Sequence, residues 1–142
     1  MRAMESVTKT LRILQLAMLV SIIVYLAIVV ILVPHPSEMP NPMILIAITF
    51  IAIVDIGVIL LMRRFTVSRA DAVLREHPDD VGALMRWRSG YIMTYTMGEA
   101  IALFGLVLRF IGFTLAQAVP FFLAGFIVIL YFGPRRPSNA IG

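Results

Sequence analysis

Two carboxylic acids stand in stretches that otherwise offer almost nothing polar. Glu99 lies within the apolar run from Tyr91 to Leu108, and Asp55 lies within the run from Ile44 to Met62. An ionisable group near the middle of a bilayer costs about 2.5 to 3.5 kcal/mol on insertion scales, so such a residue is buried against protein or water and marks a functional candidate. The chemistry open to both is the holding of a proton or a cation. If the two met, both could not ionise at close range in a low dielectric, and a shared, exchangeable proton is what a relay needs. Their neighbours differ. On a helix Asp55 shares its face with Ile48, Ile51, Ala52, Val58, Ile59 and Met62, none of which hydrogen-bonds through its side chain, so its partner must come from another helix or from water. Glu99 follows Tyr91, Thr94, Tyr95 and Thr96, a polar track on one side only; beyond it come Ile101, Leu103, Phe104 and Leu106. The competing reading is that both acids only glue helices together, as buried polar groups in membrane bundles often do, and the Thr residues bond their own backbone. Gly98, Ala102, Gly105 and Gly112 recur at helical spacing and would let another helix approach closely. Gly57, Gly125 and Pro120 point to local packing or a kink.

The elements that must position these groups follow from composition. The chain has 142 residues, 61% hydrophobic and 14% charged, against roughly 45 to 50% and 25% in soluble domains. Its apolar stretches are as long as a bilayer is thick, and roughly 20 helical residues cross a hydrocarbon core of about 30 Å. Four segments qualify, at about 11–33, 43–62, 90–111 and 115–132. They show no alternation, which excludes spanning β-strands, and only helices satisfy their own backbone in lipid when open-ended. The expected fold is an all-α integral membrane protein, a single domain of four transmembrane helices. A rise of 1.5 Å per residue puts Asp55 about 4 Å and Glu99 about 2 Å from the centres of their spans, toward the same side.

Basic residues orient the set. Arg2, Lys9 and Arg12 precede span one, Arg63, Arg64, Arg69, Arg75, Arg86 and Arg88 fall between spans two and three, and Arg135 and Arg136 follow span four. Both termini are therefore expected in the cytoplasm, in a bacterial inner membrane. The first outer loop, Pro34 to Pro42, has no Lys or Arg and carries Pro34, Pro36, Pro40 and Pro42, which stop the flanking helices. Arg109, the one basic residue on the outer side, is expected to reach the interface with its long side chain. Trp87, Tyr91, Tyr131 and Phe132 lie near cytoplasmic boundaries, where aromatic rings are favoured. The amino end has a charged start like a signal peptide, but its long apolar part meets Pro34-His35-Pro36 with no small-residue cleavage site, so a retained first span is expected.

The cytoplasmic link 63–89 carries local signals. Ser68 and Asp71 read as a capping box opening a short amphipathic helix, Asp71 and Arg75 as an i, i+4 pair, and His77-Pro78 as its end. Asp79 reads as the N-cap of the next helix, with Asp80 at its positive end. Val67, Ala70, Val73 and Leu74 give the link an apolar face, expected on the bilayer surface or the bundle, with docking to a partner as the alternative.

Other chemistries find little footing. Without cysteine there is no disulfide, thiolate catalysis or Cys-based metal site. His35 and His77 are expected on opposite sides of the membrane, so they cannot share a metal; no cofactor is expected. A net charge of +4 reflects topology signals rather than a nucleic-acid site, since no basic cluster is paired with an aromatic platform. No phosphate-loop, dinucleotide, zincin or nucleophile-elbow pattern appears. An enzyme acting on lipid through Asp55 or Glu99 stays open, with no reaction specified.

Glu99-Ala-Ile-Ala-Leu-Phe-Gly-Leu-Val-Leu108, reached from the cytoplasmic side after His77-Pro78-Asp79, resembles the ion-carrying helix of the rotary ATP synthase proteolipid, subunit c, over residues 78 to 108. The resemblance implies an ion-carrying carboxylate at Glu99. The chain departs from that family in having four spans, a longer proline-to-acid spacing and no Gly-repeat in a preceding span.

The sequence thus favours proton or cation translocation, or proton-coupled transport, through Glu99 and Asp55, with Tyr91, Tyr95 and Thr96 in support. The alternative is a non-catalytic structural or assembly subunit. Either is expected to be a homo-oligomer or part of a larger membrane complex, because four short-looped helices enclose little space. The topology is testable by cysteine labelling: Ser37→Cys is expected to react with an impermeant reagent from outside and Ser138→Cys only from inside, and reaction of both from one side contradicts it.

Overall fold

In a computed structural model the chain is all-helical, and the structure describes residues 2–32 and 40–134. His35, Ser37, Arg135, Arg136, Ser138 and the end of the first expected span at Val33 lie outside the described residues. The elements are α1 (Arg2–Ile31), α2 (Pro42–Met62), a π turn (Arg63–Val67), α3 (Ser68–Glu76), α4 (Val81–Ile111) and α5 (Leu115–Tyr131). Three helical stretches, Met4–Ile31, Pro42–Glu76 and Val81–Ile111, are long and apolar enough to cross a membrane, and Leu115–Tyr131 is a shorter apolar helix.

α4 is the centre of the arrangement. Its most extensive partner is α5, with α1 on one side and α2 on the other. Small residues set the α4–α5 approach. A Cβ on Gly125 would collide with the Gly98 carbonyl oxygen and come within 3.0 Å of Ala102. One on Gly98 would meet Ile129 at 2.8 Å, and one on Gly105 would meet the Ala118 carbonyl at 2.9 Å. Leu11, Leu19, Ile22 and Val29 of α1 join Tyr95 and Ala102 of α4 and Phe122 and Ile129 of α5 in one core. Ala52 and Ile59 of α2, with Leu45, Ile48 and Ile56 beside them, meet Met97, Ile101, Phe104 and Leu108 of α4 in a second. Outside these seams large apolar side chains point away from the protein on every long helix, among them Leu16, Ile23, Ile46, Ile53, Leu60, Val107 and Ile127.

The ends are made by local chemistry. Asn41 Oδ1 accepts from the Met43 N–H at 2.9 Å with Pro42 at the first helical position, where its missing N–H costs nothing. α4 closes in a Schellman motif: Gly112 takes a left-handed φ of 109°, the Phe113 N–H reaches the Leu108 carbonyl at 3.0 Å, and the Gly112 N–H reaches Arg109 at 3.2 Å. Gly112 is therefore a turn residue rather than a member of the packing stripe. α5 opens at once with a capping box, Thr114 with Gln117. Pro120 sits inside α5 without ending it; its ring is on the exposed side.

Several expectations need correction. No capping box opens at Ser68: its hydroxyl bonds back to the Arg63 carbonyl at 3.4 Å, and the backbone stays helical through the π turn from Met62 to Ser68. With no Gly or Pro between Pro42 and His77 except the helical Gly57, nothing breaks the rod. Asp71 pairs with Arg75 at 2.8 Å as expected. The cap of α4 is Asp80, whose Oδ1 accepts from the Ala83 N–H at 2.8 Å, and not Asp79. α1 starts at Arg2, well before Leu11. Its first turns place Met4 and Val7 against the core that also holds Val67, Ala70 and Leu74 of the α2–α3 rod and Ala83 and Trp87 of α4. The link is thus a short three-helix extension of the bundle; Ala70 and Leu74 of α3 are covered by the chain itself, and Val73 stays exposed. Trp87 and Tyr91 are buried there, whereas Tyr131 is exposed.

Gly125→Val is expected to lower stability by about 1 to 3 kcal/mol, or to prevent closure altogether, because backbone cannot yield as a side chain can. Gly57, which has nothing within 4 Å of its Cβ position, should accept Ala with a gain of up to about 1 kcal/mol. Reversible unfolding in mixed micelles compares the two.

Candidate functional site

The helical repeat decides where the two acids face. Each residue turns by about 100°, so Glu99, two residues from both Met97 and Ile101, points away from the side those residues share with α2. It lies instead at the α1 seam, half-buried, where the Tyr25 hydroxyl donates to Glu99 Oε1 at 2.8 Å. Asp55 is half-buried at the edge of the α2 face and makes no hydrogen bond or ion pair among the described residues. α4 therefore stands between the two carboxyls. They share a level along the bundle and lie on opposite sides of it, so one chain brings them to no common proton.

The polar residues before Glu99 separate for the same reason. Thr94, Tyr95 and Thr96 are consecutive and so point in three directions. Thr96 is exposed and donates to the Ile92 carbonyl at 3.0 Å. Tyr95 is fully buried, and its hydroxyl has no partner among the described residues. Thr94 is buried, donates to the Gly90 carbonyl at 2.8 Å and receives Arg63 Nη1 at 3.4 Å. The Arg63 guanidinium is held over two rings, 4.8 Å from the Tyr91 centroid and 4.2 Å from that of Phe132. Tyr91 links the Arg63–Thr94 group to Tyr95: it carries the Arg63 guanidinium on its ring and its centroid lies 6.1 Å from that of Tyr95, both rings within the core that α1 shares. Thr96, exposed, stands apart from them.

Sequence reasoning missed the α1 contribution. Leu11, Gln15, Ile22, Tyr25 and Val29 recur at helical spacing, and that pattern carries two polar groups inward: Tyr25 to Glu99, and Gln15, whose Nε2 donates to the Ile129 carbonyl at 2.9 Å. The latter satisfies a last-turn carbonyl of α5, one of those a helix end leaves without an intrahelical donor. Arg109 was expected at the outer interface; it is buried, and Nη1 donates to the Phe113 carbonyl at 3.0 Å, closing the α4–α5 turn. A cation near the last carbonyls of a helix also meets its negative end.

No group of three or more His, Cys, Asp or Glu able to hold a metal occurs among the described residues. The arrangement offers two separate single carboxyls, one fixed by a phenol and one without a partner among the described residues. Comparison with protein families, with curated proteins and with solved structures returns no match.

The Tyr25–Glu99 contact should be measurable as a coupling energy. In a double-mutant cycle with Tyr25→Phe and Glu99→Leu, unfolding in mixed micelles is expected to give about 0.6 kcal/mol and at most about 1.7. A coupling of zero would mean that the hydrogen bond does not hold α1 to α4.

Proposed function

We propose that this chain is a small integral membrane protein with four spans and both termini in the cytoplasm, and that it works as a subunit of a larger membrane assembly. Support for insertion comes from the outward apolar side chains on every long helix, an arrangement that water would penalise and lipid does not. α5, at 17 residues, is within the range of about 17 to 25 that crosses a bilayer. The cytoplasmic orientation rests on the basic residues around the three-helix extension.

The observation that carries the assembly reading is Asp55. Its carboxyl is half-buried at the rim of the most peripheral helix, with apolar neighbours and no hydrogen-bond partner among the described residues. Left against acyl chains it would cost about 2.5 to 3.5 kcal/mol. A helix from a second copy or another subunit that brought a donor to α2 would offset that cost, and the remaining face of α2 is free to receive one. Glu99 in this reading locks α1 to α4 through Tyr25.

Translocation of a proton or cation is the second reading, and the observation in its favour is that Glu99 is held by Tyr25 without being sealed by packing. It would run through Glu99 alone within one chain, with Asp55 engaged by a neighbour.

Photobleaching counts in native-composition bilayers are expected to exceed one copy, or to co-localise with another subunit, and Asp55→Leu should weaken the association about tenfold, the equivalent of about 1.4 kcal/mol. A parent that stays monomeric and unaccompanied ends the assembly reading. Proton flux into proteoliposomes separates the second: a parent that conducts and a silent Glu99→Gln would favour translocation, and no parental flux removes it.

A further inference from the structure

A pocket of about 310 Å³ opens between the π turn, α3 and the first turns of α4. It holds two cations and one anion: Arg69 and Arg86 line it together with Asp80. Neither arginine forms an ion pair among the described residues. Arg69 is held at the site, its guanidinium 5.1 Å from the Phe65 ring centroid. Asp80 gives one oxygen, Oδ1, to the Ala83 N–H, and the other has no partner among the described residues. Thr66 adds a hydroxyl, and Phe65 and Val73 supply an exposed apolar flank. The π turn makes this mouth. Its wider winding carries Phe65 and Thr66 to the pocket while Val67 turns inward against Gly90, where a Cβ would come within 2.5 Å; single π turns inside helices often mark functional sites.

We infer that this pocket binds the headgroup of an aminophospholipid, with the phosphodiester between Arg69 and Arg86 and the primary ammonium on Asp80. The inference rests on the membrane placement proposed above, which puts residues just beyond Met62 and just before Gly90 in the headgroup layer. Guanidinium is the preferred side chain for phosphate because its fixed fork of donors matches two oxygens. A carboxylate in the same pocket repels a purely anionic headgroup and favours one that carries its own cation. An ammonium that donates hydrogen bonds suits the free Asp80 oxygen, and a quaternary choline does not. The acyl chains would continue along Phe65 onto the exposed apolar side of α2, beside Leu61.

The test uses the full chain reconstituted in phosphatidylcholine nanodiscs containing phosphatidylethanolamine or phosphatidylglycerol, with retained lipid read by native mass spectrometry. Phosphatidylethanolamine is expected to be retained about tenfold more tightly than either other lipid. Arg69→Ala with Arg86→Ala should abolish retention. Asp80→Asn, which keeps a good N-cap, should unfold like the parent yet lose the preference for phosphatidylethanolamine over phosphatidylcholine. Equal retention of all three lipids, a preference for phosphatidylglycerol, or an unaltered preference in Asp80→Asn overturns the inference. Displacement by soluble glycerophosphoethanolamine at the lipid's own concentration also overturns it, by assigning the site to a free phosphodiester. A chain that never enters nanodiscs counts against the membrane placement instead, so the two failures are distinguishable.

Discussion

The rest of the structure depends on how closely α5 can lie on α4. On the proposed membrane placement there is no hydrophobic drive between helices, so packing contact and interhelical hydrogen bonds would have to hold them. Gly125 against the Gly98 carbonyl, with Ala102, Gly105 and Ala118 along the same seam, removes side-chain thickness from that contact. The pair so formed has two flanks. α1 fills one with Ile22, Val29, Tyr25 and Gln15, and α2 fills the other with Ala52 and Ile59. The α4–α5 turn fixes the geometry of the pair, since Gly112, Phe113 and Thr114 leave no slack between a Schellman end and a capped start.

That plan assigns the two carboxyls different circumstances although they lie at a common level. Glu99 sits half-buried at the α1 seam with a phenolic donor, and Asp55, equally half-buried, belongs to the edge of α2. On the proposed membrane placement, a carboxyl whose hydrogen bond is made within its own chain can be kept without help, and one that lacks such a bond requires a neighbour. The separation follows from α4 being a helix: residues two apart cannot face the same partner.

Much of the fold was legible in the sequence because long apolar runs and prolines mark helices directly. The four segments fall within a few residues of the observed α1, α2, α4 and α5, except where α1 and α4 run further into the polar region. Those extensions were hidden because Met4, Val7, Ala83 and Trp87 are interleaved with charged residues, and only the tertiary core shows that they face one another. Ser68 misled because Ser-x-x-Asp is a cap only where a helix begins, and here the preceding turn is already helical. The helical faces bearing Asp55 and Glu99 were readable, but not which neighbour each face would meet; sequence spacing gives azimuth on one helix and says nothing of the order in which helices surround α4. Thr114 and Gln117 were a readable signal, as was the inward spacing of Gln15 and Tyr25.

The three-helix extension at the foot of the bundle has a consequence for how the molecule comes apart. On the membrane placement proposed above, Trp87, Leu74, Ala70 and Val7 are packed at the headgroup layer and the water beyond it. That part is held by the hydrophobic effect, which fades on cooling and yields to urea, whereas the spans are held by contact and backbone satisfaction in a medium that neither condition alters much. On that placement one continuous bundle has two solvents. Chilling or denaturant would then loosen its foot while the membrane part stays closed, and detergent that thins the bilayer would act in the opposite order.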